Sequence, residues 1–181
     1  MSTSATSFDT LSVRAPEAAK LAHTIRVQSQ SISEGETIDK EFVFTGCGGN
    51  NRSPQLNWSG APSGTKSYVV TCFDPDAPTG CGYWHWLAFD IPASVTSLDA
   101  GAGTDKSPAG GKSGYTDYGF ASYGGPCPPK GDAAHRYIFR VYALDVEKLA
   151  GAGPGTTGAT LTFMMRGHVL ASGSLTAKFG H

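Results

Sequence analysis

Three ionisable side chains stand where apolar segments meet turns. Asp74 follows the apolar run 68–73 and opens Asp74-Pro75-Asp76-Ala77-Pro78. His85 lies between Trp84 and Trp86, and His135 opens an alternating segment that ends at Leu144. A carboxylate that accepts an imidazole N–H orients the ring and favours its protonated form, and the imidazoles can then offer N–H donors to an anion. Strand alternation puts Asp74 with Tyr68, Val70 and Cys72, and His135 with Tyr137 and Phe139, so both edge a buried region. Each residue also has a plainer role. Asp74 can cap its own turn, and a histidine inside an apolar strand can be a hydrogen-bonded core residue. Spacing alone does not bring the three together.

The segment Tyr123-Gly124-Gly125-Pro126-Cys127-Pro128-Pro129-Lys130-Gly131 adds a candidate wall. Its prolines have no N–H, so the free backbone donors concentrate at Gly124, Gly125 and Cys127. Glycine lets a ligand approach the backbone closely. A stiff turn is the alternative. A third reading is catalytic: Cys127 as nucleophile, His135 as its base, and loop N–H groups facing an oxyanion, which would make the protein a hydrolase or related enzyme.

The elements that must position these groups read as follows. Residues 23–31 alternate as an edge strand does, residues 42–44 form a short apolar strand, and residues 68–73 and 83–91 read as buried strands. Residues 136–144 are the clearest strand. Tyr137, Phe139 and Val141 fall on one face with His135, and Arg136, Ile138, Arg140 and Tyr142 on the other. The spacing predicts a helix over 161–171 and a last strand over 175–179. The long segment 93–130 is rich in Gly, Ser, Asp and Pro, but Tyr115, Tyr118, Phe120 and Tyr123 recur in it, as in an ordered functional loop. Many short strands with Gly/Pro turns predict a mainly β fold, a β-sandwich with a few peripheral helices.

Bulk properties narrow the function. The chain has 181 residues, enough for one domain with a real core, and residues 23–181 read as that domain. Residues 1–22 read as a flexible arm with a short helix over 16–21. A formal net charge of −1 and no Lys/Arg cluster argue against nucleic acid as a partner. No apolar run is long enough for a transmembrane segment, and the start of the chain lacks the pattern of a secretory signal, so the expected location is cytoplasmic. Cys47, Cys72, Cys81 and Cys127 form no CxxC pair. They are expected as free thiols, with a Cys47–Cys127 bridge as the alternative. No cofactor and no metal site is expected.

Four motifs in one order carry a resemblance: Asp74-Pro75-Asp76-Ala77-Pro78, Trp84-His85-Trp86, Gly124-Gly125-Pro126-Cys127-Pro128-Pro129 and His135-Arg136-Tyr137. Ser53-Pro54-Gln55-Leu56, Trp58 and Gly167-His168-Val169-Leu170-Ala171 support it. The chain resembles the phosphatidylethanolamine-binding protein family over roughly residues 24–180. The closer likeness is to its bacterial and archaeal, Raf-kinase-inhibitor-like branch. The resemblance implies a sandwich of two antiparallel sheets with Greek-key connections. It implies an anion pocket at one end, formed by Asp74, His85, His135 and Tyr137, with Pro78, Gly125 and Cys127 in its walls and a cis bond before Pro78. It also implies a phosphate-like anion or phospholipid head group as ligand, a kinase or protease as a regulated partner, and a homodimer. Binding is thereby favoured over turnover, and a protein-interaction module without a small ligand is the remaining alternative. Two departures stand out: Thr116-Asp117-Tyr118-Gly119 where relatives often carry Asn-Asp-Phe-Gly, and Phe179 where Tyr is common.

Overall fold

The computed structural model describes residues 24–104 and 107–181, so the expected arm and its short helix lie outside the described residues. Two antiparallel sheets face each other. The smaller contains β1 (Arg26–Gln28), β2 (Leu56–Ser59) and β5 (Ser97–Leu98), in the order β1-β2-β5. The larger contains β3 (Ser67–Asp74), β4 (Tyr83–Pro92), β6 (Lys112–Ser113), β7 (His135–Leu144) and β8 (Val169–Phe179), in the order β6-β4-β3-β7-β8. The one α-helix among the described residues is α1 (Gly158–Met164). The expected mainly β, two-sheet architecture is what forms.

The main core lies between the sheets. Val27, Leu56, Trp58 and Leu98 from the smaller sheet meet Val70, Trp86, Phe139 and Val141 from the larger. A second core covers part of the outer face of the larger sheet, where Leu161 and Met165 seal Val69, Leu87, Phe89 and Leu144. β3 therefore has protein on both sides, and every one of its residues is buried. That explains why its sequence is mostly apolar and does not alternate. The alternation expected along residues 136–144 holds: His135, Tyr137, Phe139 and Val141 are buried toward the main core, while Arg136 is exposed and Ile138 and Arg140 are half-buried on the other side.

Several elements differ from expectation. Residues 42–44 do not form a strand; Lys40–Phe42 is a 3-10 turn that buries Phe42. The apolar run after Gly158 is not one helix to residue 171. α1 stops at Met164, Gly167 takes a φ of 83°, and the chain turns back as β8 from Val169. A left-handed residue ends a helix at almost no cost when it is glycine. The last strand therefore begins well before residue 175. The first strand is confined to Arg26–Gln28, because Ser29 turns inward to the Gln55 carbonyl. No cis peptide bond occurs among the described residues, so the Ala77–Pro78 bond is trans.

The cysteines also differ. Cys47 and Cys127 form a disulfide across 80 residues of sequence, while Cys72 is buried and free and Cys81 is exposed and free. A bridge closing so long a loop removes much entropy from the unfolded chain. Native protein is expected to show one thiol reactive to an aromatic disulfide reagent, Cys81, and a second, Cys72, only after unfolding. The Cys47→Ser/Cys127→Ser protein should lose about 2–4 kcal/mol, seen as a Tm lower by roughly 5–15 °C. Three or four reactive thiols in denatured, unreduced protein would show that the bridge is not there.

Candidate functional site

The three ionisable groups meet at one end of the larger sheet. β3 ends at Asp74, β4 begins at Tyr83 opposite it, and β7 begins at His135. Antiparallel neighbours bring one strand's exit beside the entries of the next two. His135 Nδ1 donates to Asp74 Oδ2 at 2.8 Å. The other oxygen, Asp74 Oδ1, accepts the backbone N–H groups of Asp76 (2.8 Å) and Ala77 (3.1 Å). The turn-capping role and the imidazole-orienting role therefore coexist, one on each oxygen. Asp76 is itself fixed by Arg136, whose Nη2 and Nε donate at 2.6 and 2.9 Å. That guanidinium holds the Asp76 carboxyl below its usual range.

His85 reaches the cluster through an irregularity in β4. Cys72 pairs with Trp86 and Phe73 with Trp84, leaving His85 without a partner residue on β3. Such a bulge breaks the two-residue period and can aim consecutive side chains to one side. Trp86 joins the main core, and His85 also turns inward, its ring edge-on to Tyr137 with centroids 5.1 Å apart. His85 Nδ1 donates to the Gly124 carbonyl at 2.8 Å. Burial lowers its pKa below the ordinary histidine value, against the opposing pull of the Gly124 carbonyl and the Asp74 charge. A neutral His85 with its proton on Nδ1 presents a lone pair at Nε2.

Tyr137 is fully buried, and its hydroxyl has no acceptor to donate to among the described residues. Burial, followed by the Asp74 charge, raises its pKa well above the ordinary tyrosine value, while the Cys127 backbone pulls in the opposite direction. Asp74, His85 and His135 keep 2%, 3% and 4% of their surface exposed, so the cluster lies just under the surface. His135 Nε2 is 3.4 Å from Asp132 Oδ2, whose side chain is 41% exposed. Asp132 thus stands where an anion approaching that nitrogen would come.

The proline loop is a wall, though its donors are not free as expected. Gly124 N–H donates to the His85 carbonyl at 2.8 Å, and Gly125 N–H to Asn51 Oδ1 at 2.7 Å. A Cβ on Gly125 would lie 2.2 Å from the Phe42 carbonyl oxygen, so only glycine fits there. Of the three expected donors, Cys127 N–H is the one directed toward the cluster. Its thiol is spent in the bridge to Cys47, which removes it as a nucleophile. Pro78 is exposed in the turn after Asp74 and contributes to the rim only. Phe179 closes β8 opposite His135, so the departure from Tyr removes a hydroxyl at the edge of the cluster.

Sequence reading missed Asn51, Tyr118 and Asp132. Asn51 takes a φ of 53°, donates to the Tyr123 carbonyl at 3.1 Å and accepts from Gly125. The Gly48-Gly49-Asn50-Asn51 run signalled a turn, and asparagine tolerates this conformation. Nothing in the sequence signalled its partner 74 residues away. Tyr118 donates to the Gly125 carbonyl at 2.7 Å and sets its ring 5.4 Å from that of His85. Among the described residues, no cluster of His, Cys, Asp and Glu is arranged to hold a metal ion.

Comparison with known proteins bears on the family and the fold. The family model described as phosphatidylethanolamine-binding protein matches residues 28–180. The Escherichia coli protein YbcL is 45% identical over 87% of this chain and 88% of its own length. Its crystal structure superposes with a TM-score of 0.83, covering 87% of this chain and 98% of that one. E. coli YbhB is 44% identical over 86% of this chain and 99% of its own length. A Chlamydia trachomatis homologue has a TM-score of 0.75 at 32% identity, over 87% of this chain and 98% of that chain.

The buried His85 makes a pH test. Its folded pKa is depressed, so the unfolded chain takes up a proton near pH 6.5 and the folded chain only at lower pH. The stability it carries is complete above about pH 6.5 and declines as pH falls through the folded pKa, by at most about 1.4 kcal/mol per pH unit. Urea unfolding at pH 7.5 and pH 5.5 should show a shallower pH dependence for His85→Gln than for the parent. Equal slopes would place His85 in contact with water.

Proposed function

The chain belongs to the phosphatidylethanolamine-binding protein family, and from that premise we propose that it binds a phosphate-like anion at Asp74, His85, His135 and Tyr137. The observation that carries this is the Tyr137 hydroxyl, fully buried and with no acceptor among the described residues, beside two oriented imidazoles. Buried polar groups are almost always paired, and one that is not asks for a ligand or a water. Asp74 holds the His135 ring by Nδ1, which leaves Nε2 for the ligand. Gly124 does the same for His85. Tyr137, whose oxygen the Cys127 N–H approaches, completes a set of donors too small to enclose a large molecule.

The ligand's charge state follows from His85. As a neutral ring it offers only a lone pair at Nε2, so a phosphate oxygen must arrive with a proton or His85 must take one from water. Binding is then accompanied by proton uptake and strengthens as pH falls through the range where His85 becomes charged. Each charge-assisted hydrogen bond contributes about 1.5–3 kcal/mol. Against the cost of association, two or three of them give a bare phosphate a Kd on the order of millimolar. Tighter binding needs contacts beyond the phosphate. Regulation of a kinase or protease would be exerted through a phosphorylated partner entering the same pocket, and sedimentation with and without phosphate tests whether a second copy takes part.

Calorimetric titration with inorganic phosphate and with phosphoethanolamine is the experiment. His135→Ala and Tyr137→Phe should each weaken inorganic phosphate at least about 10-fold. Asp132→Asn should strengthen it about 2- to 5-fold by removing a competing carboxylate. Phosphoethanolamine binding tighter than phosphate identifies a head group; equal affinity identifies the anion alone. Phosphate affinity indifferent to His135→Ala, or falling as pH is lowered from 7.5 to 6, would end the proposal.

A further inference from the structure

The other side of the same strands carries a cavity. Period-two alternation sends Asp74, Tyr137 and His135 inward and Phe73, Ile138 and Arg140 outward. α1 has only seven residues and covers Val69, Leu87, Phe89 and Tyr142, stopping short of Thr71, Phe73 and Ile138. What is left beside it is a cavity of about 470 Å³, with walls of Phe73, Trp84, Ile138, Tyr142 and Ala159. That volume suits a small organic molecule. The wall at Trp84 is fixed. Gly158 starts α1 directly against the indole, where a Cβ would come within 2.3 Å of the ring, and Phe73 packs tilted against the same ring with centroids 4.5 Å apart.

One cation faces this apolar space. Arg136, on the same face of β7, is taken by Asp76. Arg140 has no carboxylate partner among the described residues; it lies against Tyr142, whose burial-raised pKa it opposes. The cavity's one acid is Asp117, which accepts the Trp84 N–H at 2.7 Å and so sits at the free side of β4. Trp84 pairs with Phe73, Phe73 with Ile138, and Arg140 lies two residues further along β7. The two charges are therefore at opposite corners, more than roughly 10 Å apart across the strands and about 6–7 Å along them. A monoanion at Arg140 avoids Asp117 if its body lies over Ile138 and Phe73 toward the indole. A phosphate dianion, with one guanidinium to meet it and no second donor side chain of like charge, fits less well.

We propose that this outer cavity is a second binding site, which takes a small aromatic carboxylate with its ring against Trp84 and Phe73 and its carboxylate on Arg140. It is separate from the anion pocket, with the thickness of the sheet between them. Aromatic stacking and a guanidinium–carboxylate fork supply its affinity.

The probe is 2-naphthoate, titrated into the full chain and read by tryptophan fluorescence. Trp58 and Trp86 are buried in the main core, so the response comes from Trp84 and should vanish in Trp84→Phe. Saturation at or below millimolar probe is expected, with 2-naphthalenemethanol, its neutral counterpart, at least tenfold weaker. Arg140→Gln should lose at least tenfold for naphthoate while binding inorganic phosphate as the parent does. Ala159→Phe, at an exposed position of α1, should block the cavity without touching the sheet. His135→Ala should bind naphthoate normally. No saturable response, equal affinity for the neutral compound, or full affinity in both Arg140→Gln and Ala159→Phe would overturn the proposal. So would loss of naphthoate in His135→Ala, which would place the probe in the anion pocket.

Discussion

The hydrogen bond from His135 Nδ1 to Asp74 Oδ2, 2.8 Å long and almost wholly buried, is the constraint on which the site depends. A carboxylate taken from water loses several kcal/mol of hydration unless its oxygens are satisfied. Asp74 is satisfied on both. Two turn N–H groups hold one oxygen and the imidazole holds the other. Removing the imidazole would leave buried charge; removing the turn would leave the carboxylate free to rotate away. The register of β3 against β7, with Phe73 opposite Ile138, sets the two side chains at this separation.

Around that pair the structure fixes what must not move. The bulge in β4 turns His85 inward, and the Gly124 carbonyl decides which ring nitrogen carries its proton. The loop bearing Gly124 and Gly125 is clasped from outside. Asn51 bonds it at Tyr123 and at Gly125, Phe44 N–H donates to the Pro126 carbonyl at 3.1 Å, and the disulfide ties Cys127 to the turn at Cys47. Prolines stiffen the loop from within, and these contacts fix it from without. A wall this rigid suits a small ligand of fixed shape, because little ordering is left to be done on binding.

One sheet serves two environments because its side chains alternate. Toward the smaller sheet, the ends of β3, β4 and β7 gather polar groups at the rim of the main core. Away from it, the same strands present aromatic and aliphatic groups that α1 covers only in part. The short helix follows from Gly167, whose left-handed backbone sends the chain back into β8. The outer cavity depends on where α1 begins and ends.

Much of this was legible in one dimension. Alternation along residues 136–144 assigned both faces of β7, the continuous apolar run marked β3 as buried on both sides, and the motif order pointed to the family. Local signals failed where two structures share a composition. Phe42-Val43-Phe44 is as apolar as a strand but turns, because Phe42 and Val43 can be buried without a partner strand. The run after Leu161 is as apolar as a helix, but its end, from Val169 on, pairs with β7. The free donors expected in the proline loop were assigned without Asn51, whose reach across 74 residues no local pattern encodes.

The sequence by itself determined which residue types stand at strand ends and which faces are apolar, because side-chain period and turn chemistry are properties of neighbours along the chain. Only the tertiary structure decided that His135, not His85, takes Asp74, that Cys127 is bonded to Cys47, and that the Tyr137 hydroxyl has no acceptor among the described residues. Those outcomes depend on distances between segments far apart in sequence, and such distances are set by strand register and packing.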